Sequence, residues 1–543
     1  MSDPHLPLIA SLFIPETTLG YSHNSCVRSL LPKHPRHCWW RAACFLLMPA
    51  AVSAAVRLPN VFGDHMVLQR EMPVPVWGWA EAGEKVSVTF AGATATATAD
   101  ASGNWALKLP AMPASAESRE MTVTGRSNVT FQDVLVGEVW LCGGQSNMES
   151  ELNWCNPDEG RTASIPTFRR VKAEHTLAAT PQSDVKASWV VCDNGAASGF
   201  TAAGYYFARK LTRELKIPVG LLDTSWGGAN ITFWIPGESY RNLPALRSQW
   251  EKETAQAHAM TKAYLETMEK WSADARKSLE TKDIICARAP FMPERREFSH
   301  MFNGMVYPFS PFAIRGMLWY QGEYNANDGD YYMDEMRGLI QGWRNLWKQG
   351  DVPFYYVQLP NLDPPKDDPA GGDGWATIRD VQTKVMAIPN TGMIVTIDVG
   401  EAADIHPRNK LDVGERLARW ALAKTYGKPL AYSSPFFKGM SVEGSKIRIA
   451  FDGAESGLMV GNKDGLMPVV EDKDGKLMRF AIAGEDKKWA WADALIDGKN
   501  VIVSSPAVPN PVAVRYAYSH NPAGCNLYNK DGLPASPFRS DDW

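Results

Sequence analysis

The segment 134–149, VLVGEVWLCGGQSNME, constrains the fold of this chain more than any other. An apolar run rich in valine and leucine ends at Gly143-Gly144 and is followed almost at once by Ser146. Two glycines let the backbone turn sharply, so a buried strand can stop and present the next hydroxyl at its carboxyl end. Ligands bind at that end of the strands in open α/β sheets. The segment therefore predicts either a serine nucleophile or a serine that only caps the following helix.

The composition is typical of a globular protein with room for several domains. The chain has 543 residues, of which 45% are hydrophobic and 21% charged, so it can bury a large core. Its formal net charge of -4 gives no basic field, and we expect neither nucleic acid nor an anionic membrane as a partner. No apolar run in the chain is long enough to predict a membrane span.

Residues 1–55 are predicted to be a leader that ends in a signal peptide. Arg36, His37 and Arg41 precede a short apolar run, and small residues at 52–54 offer a signal-peptidase site. We therefore expect an exported protein, either periplasmic or extracellular. The cysteines that follow lack metal-ligand spacing and are odd in number, which favours buried thiols over a disulfide framework: Cys142, Cys155, Cys192, Cys286 and Cys525.

Hydrophobic periodicity divides the rest of the chain into three parts. Residues 56–130 alternate apolar and polar positions between turn signals, which predicts an N-terminal β-sandwich. Residues 131–428 alternate apolar runs with amphipathic stretches, which predicts an α/β layer with a parallel sheet. A charged helical stretch near 244–282 is predicted to be an insertion that covers or shapes the cleft. Residues 429–543 return to short β runs and predict a C-terminal β-rich module.

Helices and strands are expected to follow one another within the middle part. The predicted helices cover 200–215, 331–347, 377–387 and 411–426, and the predicted strands cover 218–223, 353–359 and 392–398.

Segments at four predicted strand ends carry the residue types that acyl transfer needs. Ser146 is the candidate nucleophile. Gly227 and Gly228 follow a second strand and offer backbone N–H groups that no side chain obstructs, as an oxyanion hole requires. Gln321 follows a third strand and adds a side-chain amide donor. The last of the four segments, after the strand that ends at 398, contains the candidate base.

The candidate base is His406, which stands two residues after Asp404. Side chains two apart in an extended segment point the same way, so this carboxylate can reach Nδ1 and leave Nε2 free for Ser146. Pro407 disfavours helical backbone at the histidine, which supports the extended geometry. Asp398 is an alternative orienting carboxylate.

Other chemistries find less support in the sequence. Glu323 is a candidate general acid or base of the glycosidase type, but no second carboxylate is identified as its partner. Neither a zinc motif nor a phosphate-binding G-x-x-x-x-G-K-[ST] loop is found.

The candidate segments resemble the motif blocks of the sialate O-acetylesterase family within the SGNH hydrolases. The resemblance extends to 64–70 and 532–539, so it covers nearly the whole chain after the leader. The four blocks are GEVWLCGGQSNM at 137–148, SWGG at 225–228, WYQGE at 319–323 and DIHP at 404–407.

This resemblance implies a flavodoxin-like SGNH layer flanked by accessory β-sandwich modules, and hydrolysis of acetyl esters on sugars without a cofactor or metal. Many members of the wider superfamily have a Gly-x-Asn-Asp block where this chain has Gln-Gly-Glu, so Gln321 and Glu323 are alternatives for the oxyanion. The implied roles are Ser146 as nucleophile, His406 as base, Asp404 as its orienting acid, the amides of Ser146 and of Gly227 or Gly228 with Gln321 as oxyanion donors, and Asn147 and Glu323 as substrate contacts.

The sequence therefore predicts a carbohydrate O-acetylesterase that forms an acetyl-serine intermediate and acts on an acetylated carbohydrate. Acetylated sialic acid, acetylated xylan and other acetylated plant polysaccharides stay open as substrates. The alternative from another class is a non-catalytic glycan-binding protein, and the intact Ser, His and Asp set argues against it.

Overall fold

The computed structural model describes residues 55–193, 195–281, 288–290 and 297–543. The predicted leader and Cys286 lie outside these residues, apart from Ala55. Within the described part of the chain, no helix combines the length and the apolar character that a membrane span needs.

The N-terminal part is built from short strands, as its alternating pattern predicts. The strands are β1 (Val67–Gln69), β2 (Val74–Trp79), β3 (Lys85–Phe90), β4 (Ala93–Thr98), β5 (Asn104–Leu109) and β6 (Ser115–Thr124). β2 pairs with β5, whereas β3 pairs with both β4 and β6. Along β3 the side chains of Val86, Val88 and Phe90 are buried and alternate with more exposed polar residues.

Strand β7 (Asn128–Gly144) joins the N-terminal part to the middle of the chain. The first six of its 17 residues alternate between exposed and half-buried positions, and every residue from Val134 onward is buried. The early part pairs with β6, and the later part pairs with parallel strands on both sides. The sequence boundary at 130/131 therefore falls inside one continuous strand, near the place where it enters the central sheet.

The central sheet is mostly parallel, as the alternating pattern predicts. Its order is β13-β12-β11-β7-β10-β8-β9, and only the β8–β9 pair on this path is antiparallel. These strands are β8 (Ile165–Lys172), β9 (Trp189–Cys192), β10 (Val219–Asp223), β11 (Gly316–Tyr320), β12 (Phe354–Val357) and β13 (Thr391–Ile394).

The predicted helices of the middle part are confirmed, with ends that shift by a few residues. The last of them continues beyond Trp420 as a π-helical turn, Ala421–Thr425. The helices are α1 (Ser146–Glu149), α2 (Leu152–Cys155), α3 (Pro157–Thr162), α4 (Ala202–Leu215), α5 (Gly237–Asn242), α6 (Pro244–Thr281), α7 (Tyr331–Trp347), α8 (Gly374–Val385) and α9 (Lys410–Trp420).

Helices cover both faces of the central sheet, because the strands are apolar on both sides. Val139 and Leu141 of β7 point into a buried cluster that includes apolar residues of α7 and α8. Trp140 and Cys142 alternate with them and point into a second cluster, which includes residues of α4 and α9. The α/β layer predicted from the sequence is therefore confirmed.

The predicted charged insertion is helical. Helix α6 is 38 residues long, and only Leu246 and Ser278 are buried along it. Its length matches the predicted stretch, but little of its surface is covered by other described residues.

The C-terminal part forms antiparallel sheets with a core of their own, which includes Ile447, Phe480, Val501 and Tyr516. Helix α8 contacts it through the buried Arg379, which donates hydrogen bonds to the carbonyls of Ser519 and His520. Its strands are β14 (Phe436–Glu443), β15 (Lys446–Asp452), β16 (Leu458–Asn462), β17 (Val470–Glu471), β18 (Phe480–Ala483), β19 (Trp489–Trp491), β20 (Asp493–Asp497), β21 (Asn500–Ser504), β22 (Ala513–Tyr516), β23 (Leu527–Asn529) and β24 (Phe538–Arg539).

The cysteines of the described residues are free thiols, and no disulfide joins them. Cys142 and Cys192 are buried, whereas Cys155 and Cys525 are partly buried. The preference for thiols over a disulfide framework is confirmed for these positions.

Candidate active site

Ser146 opens helix α1 directly after the sharp turn that ends β7. Gly144 has a φ of +133°, a backbone conformation that favours glycine. The turn is fixed on both sides, because Gln145 N–H donates to the Tyr320 carbonyl at 3.0 Å and Trp226 N–H donates to the Gly144 carbonyl at 3.0 Å. The serine therefore stands at the carboxyl edge of the sheet, between the ends of β10 and β11.

The structure brings the predicted base to the predicted nucleophile. His406 Nε2 lies 2.8 Å from Ser146 Oγ, although 260 positions separate the two residues in the chain. The histidine side chain is 36% exposed, so a bound ester and an attacking water can both approach it. Trp154 packs its ring at 90° to the imidazole, with 6.3 Å between the ring centroids.

Asp404 contacts the backbone of His406 more closely than its ring. Oδ1 accepts a hydrogen bond from the His406 N–H at 2.8 Å, whereas the distance from the same oxygen to Nδ1 is 3.5 Å. The carboxylate is 42% exposed. It can orient the histidine, but through one close backbone bond and one longer contact to the ring.

Asp398 is engaged elsewhere. Its two oxygens accept hydrogen bonds from both terminal nitrogens of Arg416 at 2.7 Å, and the hydroxyl of Tyr528 approaches one of them at 3.3 Å. The structure therefore does not support this carboxylate as the group that orients His406.

The side chain of Gln321 points into the interior rather than toward an oxyanion. Its amide nitrogen donates to the Ala229 carbonyl at 3.3 Å and to Asn325 Oδ1 at 2.6 Å, which uses both of its N–H bonds. Its oxygen accepts from the Tyr332 hydroxyl at 2.9 Å. The side chain thus joins the loop after β10 to the end of β11, and its assignment as an oxyanion donor stays a prediction.

The predicted glycine turn lies against Ser146. A Cβ at Gly227 would be 3.3 Å from Ser146 Cβ, so glycine permits this close approach. The Gly227 N–H donates to Glu149 Oε2 at 2.7 Å, and Gly228 has a φ of +61°. The turn is thus beside the serine, with one of its amides bound to a carboxylate.

Glu149 belongs to an ionic cluster next to Ser146. Its Oε1 lies 2.9 Å from Lys172 Nζ and 2.8 Å from His175 Nε2, and the His175 ring stacks on Trp226 with centroids 4.1 Å apart. Burial favours the neutral acid, but the hydrogen bonds from His175 and Lys172 and the amide of Gly227 outweigh it and lower the pKa of Glu149 to about 2. The negative charge beside the serine is therefore balanced by neighbouring donors.

The substitution Glu149→Gln is expected to destabilise the protein in a pH-dependent way. The folded pKa of about 2 lies below the usual 4.5, so the carboxylate contributes stability above pH 4.5 and loses it as the pH falls toward 2. We expect a loss of about 1 kcal/mol at pH 6, since solvent screens this partly exposed cluster. Urea unfolding at pH 6 and pH 4 measures it, with the exposed neighbour Glu151→Gln as control. If the difference in the free energy of unfolding between wild type and Glu149→Gln grows toward pH 4, the ionised Glu149 does not stabilise the protein through this cluster.

Asn147 and Glu323 are buried, and their polar atoms face the protein. Asn147 Nδ2 donates to Glu323 Oε1 and to the Ile405 carbonyl, and its Oδ1 accepts from Lys410 Nζ. Burial raises the pKa of Glu323. The hydrogen bonds of Asn147 and of Glu323 Oε1 lie within the protein interior, and the assignment of the two residues as substrate contacts stays a prediction.

Several residues at the site were not identified from the sequence. Glu149 and Asn325 lie inside or next to the predicted motifs, and this position is the feature of the sequence that could have identified them. Lys410 could have been identified by a different feature. A lysine in the first turn of a helix is unfavourable, because its charge faces the positive end of the helix dipole. Among the described residues, no cluster of His, Cys, Asp and Glu side chains could hold a metal ion.

Known proteins resemble this chain over most of its length. The sequence model of the family described as carbohydrate esterase, sialic acid-specific acetylesterase matches residues 136–303 and 288–423. These segments span more than half of the chain and include both Ser146 and His406. The chain belongs to this family.

The relatives extend the likeness beyond the matched segments. Sialate O-acetylesterase from Rattus norvegicus is 27% identical over 486 residues, which cover 80% of this chain and 84% of the relative. The human sialate O-acetylesterase is 26% identical over 481 residues, covering 80% and 82%. A carbohydrate acetylesterase from Xanthomonas citri has a crystal structure that superposes with a TM-score of 0.75 at 35% identity, over 90% of this chain and 100% of that one. Because the chain belongs to this family of acetylesterases, the protein is an esterase.

Proposed function

We propose that this esterase removes acetyl groups from sugar hydroxyls through an acetyl-Ser146 intermediate, with His406 as the base and Asp404 as its orienting acid. The observation that carries the proposal is the 2.8 Å distance between Ser146 Oγ and His406 Nε2. That distance is a hydrogen bond between a nucleophile and a base, the arrangement that activates a serine.

In the proposed first step, Ser146 Oγ attacks the acetyl carbonyl while its proton passes to Nε2 of His406. The tetrahedral intermediate collapses when the histidine returns this proton to the sugar oxygen, which leaves as an alcohol. A water then attacks the acetyl-serine while one of its protons passes to His406, and the histidine gives this proton to Ser146 Oγ as the acyl–oxygen bond breaks and acetic acid leaves, which ionises to acetate. Asp404 supports the imidazolium that forms in each step.

The oxyanion is proposed to bind backbone amides. Ser146 is the first residue of α1, so its N–H has no carbonyl partner within the helix. A second donor is proposed from the turn at Gly227 and Gly228, which touches the serine. The Gly227 N–H can serve only if it exchanges Glu149 for the ester oxygen, because it donates to that carboxylate in the resting structure.

The strand order supports assignment of the catalytic layer to the flavodoxin-like SGNH type. Numbered along the chain, β7, β10, β11, β12 and β13 lie in the spatial order 2-1-3-4-5. This order is the one that flavodoxin shows. β8 and β9 extend the sheet beyond β10.

The substrate is proposed to be an acetylated carbohydrate, since the relatives are sialate and carbohydrate acetylesterases. The test is acetate release from acetylated sialic acid, acetylated xylan and other acetylated plant polysaccharides, with Ser146→Ala as the inactive control. Serine-dependent release from at least one of them is expected. Labelling of Ser146 without acetate release from any glycan would contradict the substrate class.

Sequencing the amino terminus of exported protein tests the proposed leader.

Two aspartate substitutions are expected to have opposite signatures. Asp404→Asn should lower kcat about 10- to 100-fold with little change in stability, because this exposed group orients the base. Asp398→Asn should instead cost about 3 kcal/mol of stability, since it leaves the buried guanidinium of Arg416 without its counter-charge. Steady-state kinetics and thermal unfolding of both variants measure this. A lower kcat with unchanged stability in Asp398→Asn, together with a loss of stability at wild-type kcat in Asp404→Asn, would make Asp398 the orienting acid.

A further inference from the structure

The loop that carries His406 is held by two buried side chains in addition to Asp404. The carbonyl of Ile405, just before the histidine, accepts a hydrogen bond from Asn147 Nδ2 at 2.9 Å. The carbonyl of Pro407, just after it, accepts one from Lys410 Nζ. The peptide groups on both sides of the base are therefore bound from the interior.

These two side chains form one unit with the nucleophile. Lys410 Nζ also donates to Asn147 Oδ1 at 2.8 Å, and Asn147 directly follows Ser146 on α1. The second N–H bond of the Asn147 amide goes to Glu323 Oε1 at the end of β11. The network thus links the serine turn, the histidine loop and a third loop, and it uses both N–H bonds and the oxygen of the asparagine side chain.

Burial makes this network energetically demanding and geometrically specific. Asn147 and Lys410 are both fully buried, and burial lowers the pKa of Lys410 to about 8. A buried ammonium group is costly unless it is hydrogen-bonded, and here its bonds go to Asn147 Oδ1 and to the Pro407 carbonyl. Loss of one member leaves the others without partners, so the loop has few alternative positions.

The exposed contact from Asp404 cannot give the same precision. Its carboxylate is 42% exposed, so solvent competes both with its 2.8 Å bond to the His406 N–H and with its 3.5 Å contact to the imidazole nitrogen. A displacement of about 1 Å at a catalytic group can cost about 10²-fold in rate. The group that sets the Ser146–His406 distance must therefore be sought among the buried contacts.

We infer that Asn147 and Lys410, with Glu323 as an acceptor for Asn147, are positioning residues that fix His406 against Ser146 by binding the peptide carbonyls on both sides of the histidine. The inference rests on the proposed Ser146–His406 mechanism. It gives the buried Asn147 and Glu323 a role in the geometry of catalysis rather than in contact with the sugar.

The test is a double-mutant cycle on acetyl-ester turnover. Lys410→Met should lower kcat about 10- to 100-fold and leave KM within about 2-fold, because this residue is fully buried. In a His406→Ala background the same substitution should change the residual rate by less than about 2-fold, since no imidazole remains to be positioned. Lys424→Met, an exposed lysine in the turn after α9, is the matched control and should leave kcat unchanged.

Equal losses in the wild-type and His406→Ala backgrounds would overturn the inference, and so would an unchanged kcat in Lys410→Met. If that variant does not fold, Asn147→Ala in the same cycle decides, since it removes the bond to Ile405 and leaves the bond from Lys410 to Pro407. The proposed function is judged separately, by whether Ser146→Ala and His406→Ala lose turnover. If Ser146→Ala and His406→Ala both lose turnover while Lys410→Met and Asn147→Ala keep the wild-type kcat, only the positioning network is contradicted.

Discussion

Replacing Ser146 with alanine is expected to lower ester turnover by at least about 10⁴-fold. The hydroxyl is the group that His406 contacts at 2.8 Å, and no acetyl-enzyme can form without it. The remaining rate would come from amide donors and substrate binding alone. Release of p-nitrophenol from p-nitrophenyl acetate measures the loss, and the melting temperature should stay close to that of the wild type.

Ser150→Ala is a suitable control for this change, because Ser150 lies just beyond α1 and its hydroxyl only donates to the Ser146 carbonyl. We expect it to retain most of the activity. Turnover by Ser146→Ala at the wild-type rate would show that another group performs the hydrolysis.

Replacing Gly144 with alanine should also remove most of the activity, by a different route. A Cβ at this position would lie 2.2 Å from the Tyr320 carbonyl oxygen, and the φ of +133° is strained for alanine. Because β11 cannot move without disturbing the sheet, we expect the serine turn to shift instead. The expected results are a loss of about 10²-fold or more in kcat and about 2 kcal/mol or more in stability.

Gly439→Ala provides the comparison, since a Cβ there meets no atom within 4 Å. Its kinetics and unfolding should resemble those of the wild type. A Gly144→Ala protein with wild-type kcat would mean that the sharp turn does not position the nucleophile.

The α/β layer could be predicted because burial leaves a pattern in the sequence. Its strands are buried on both faces, whereas its helices are buried on one face. The run that became β7 is apolar at consecutive positions, as a central parallel strand requires, and α7 has a regular apolar face. The boundary at 130/131 was harder to interpret. The pattern changes there because a single strand passes from a partly exposed ladder into the central sheet, and such a change looks like a domain boundary in a sequence.

The approach of His406 to Ser146 could be predicted, because local geometry and motif coincide at both residues. The serine turn and the Asp404–His406 segment are short, and the structure brings Ser146 and His406 together. The predicted roles of Gln321, Asn147 and Glu323 depended on the direction of each side chain. Loops that are distant in the chain determine those directions, as in the bond between Gln321 and Ala229. No spacing in the sequence contains that information.

The central claim is that His406 activates Ser146, and a fluorophosphonate probe followed by peptide mapping tests it most directly. The account predicts one adduct on Ser146 in the wild-type protein, none in Ser146→Ala, and labelling at least about 10²-fold slower in His406→Ala. Absence of an adduct on Ser146 in the folded protein, or labelling of His406→Ala at the wild-type rate, would contradict it.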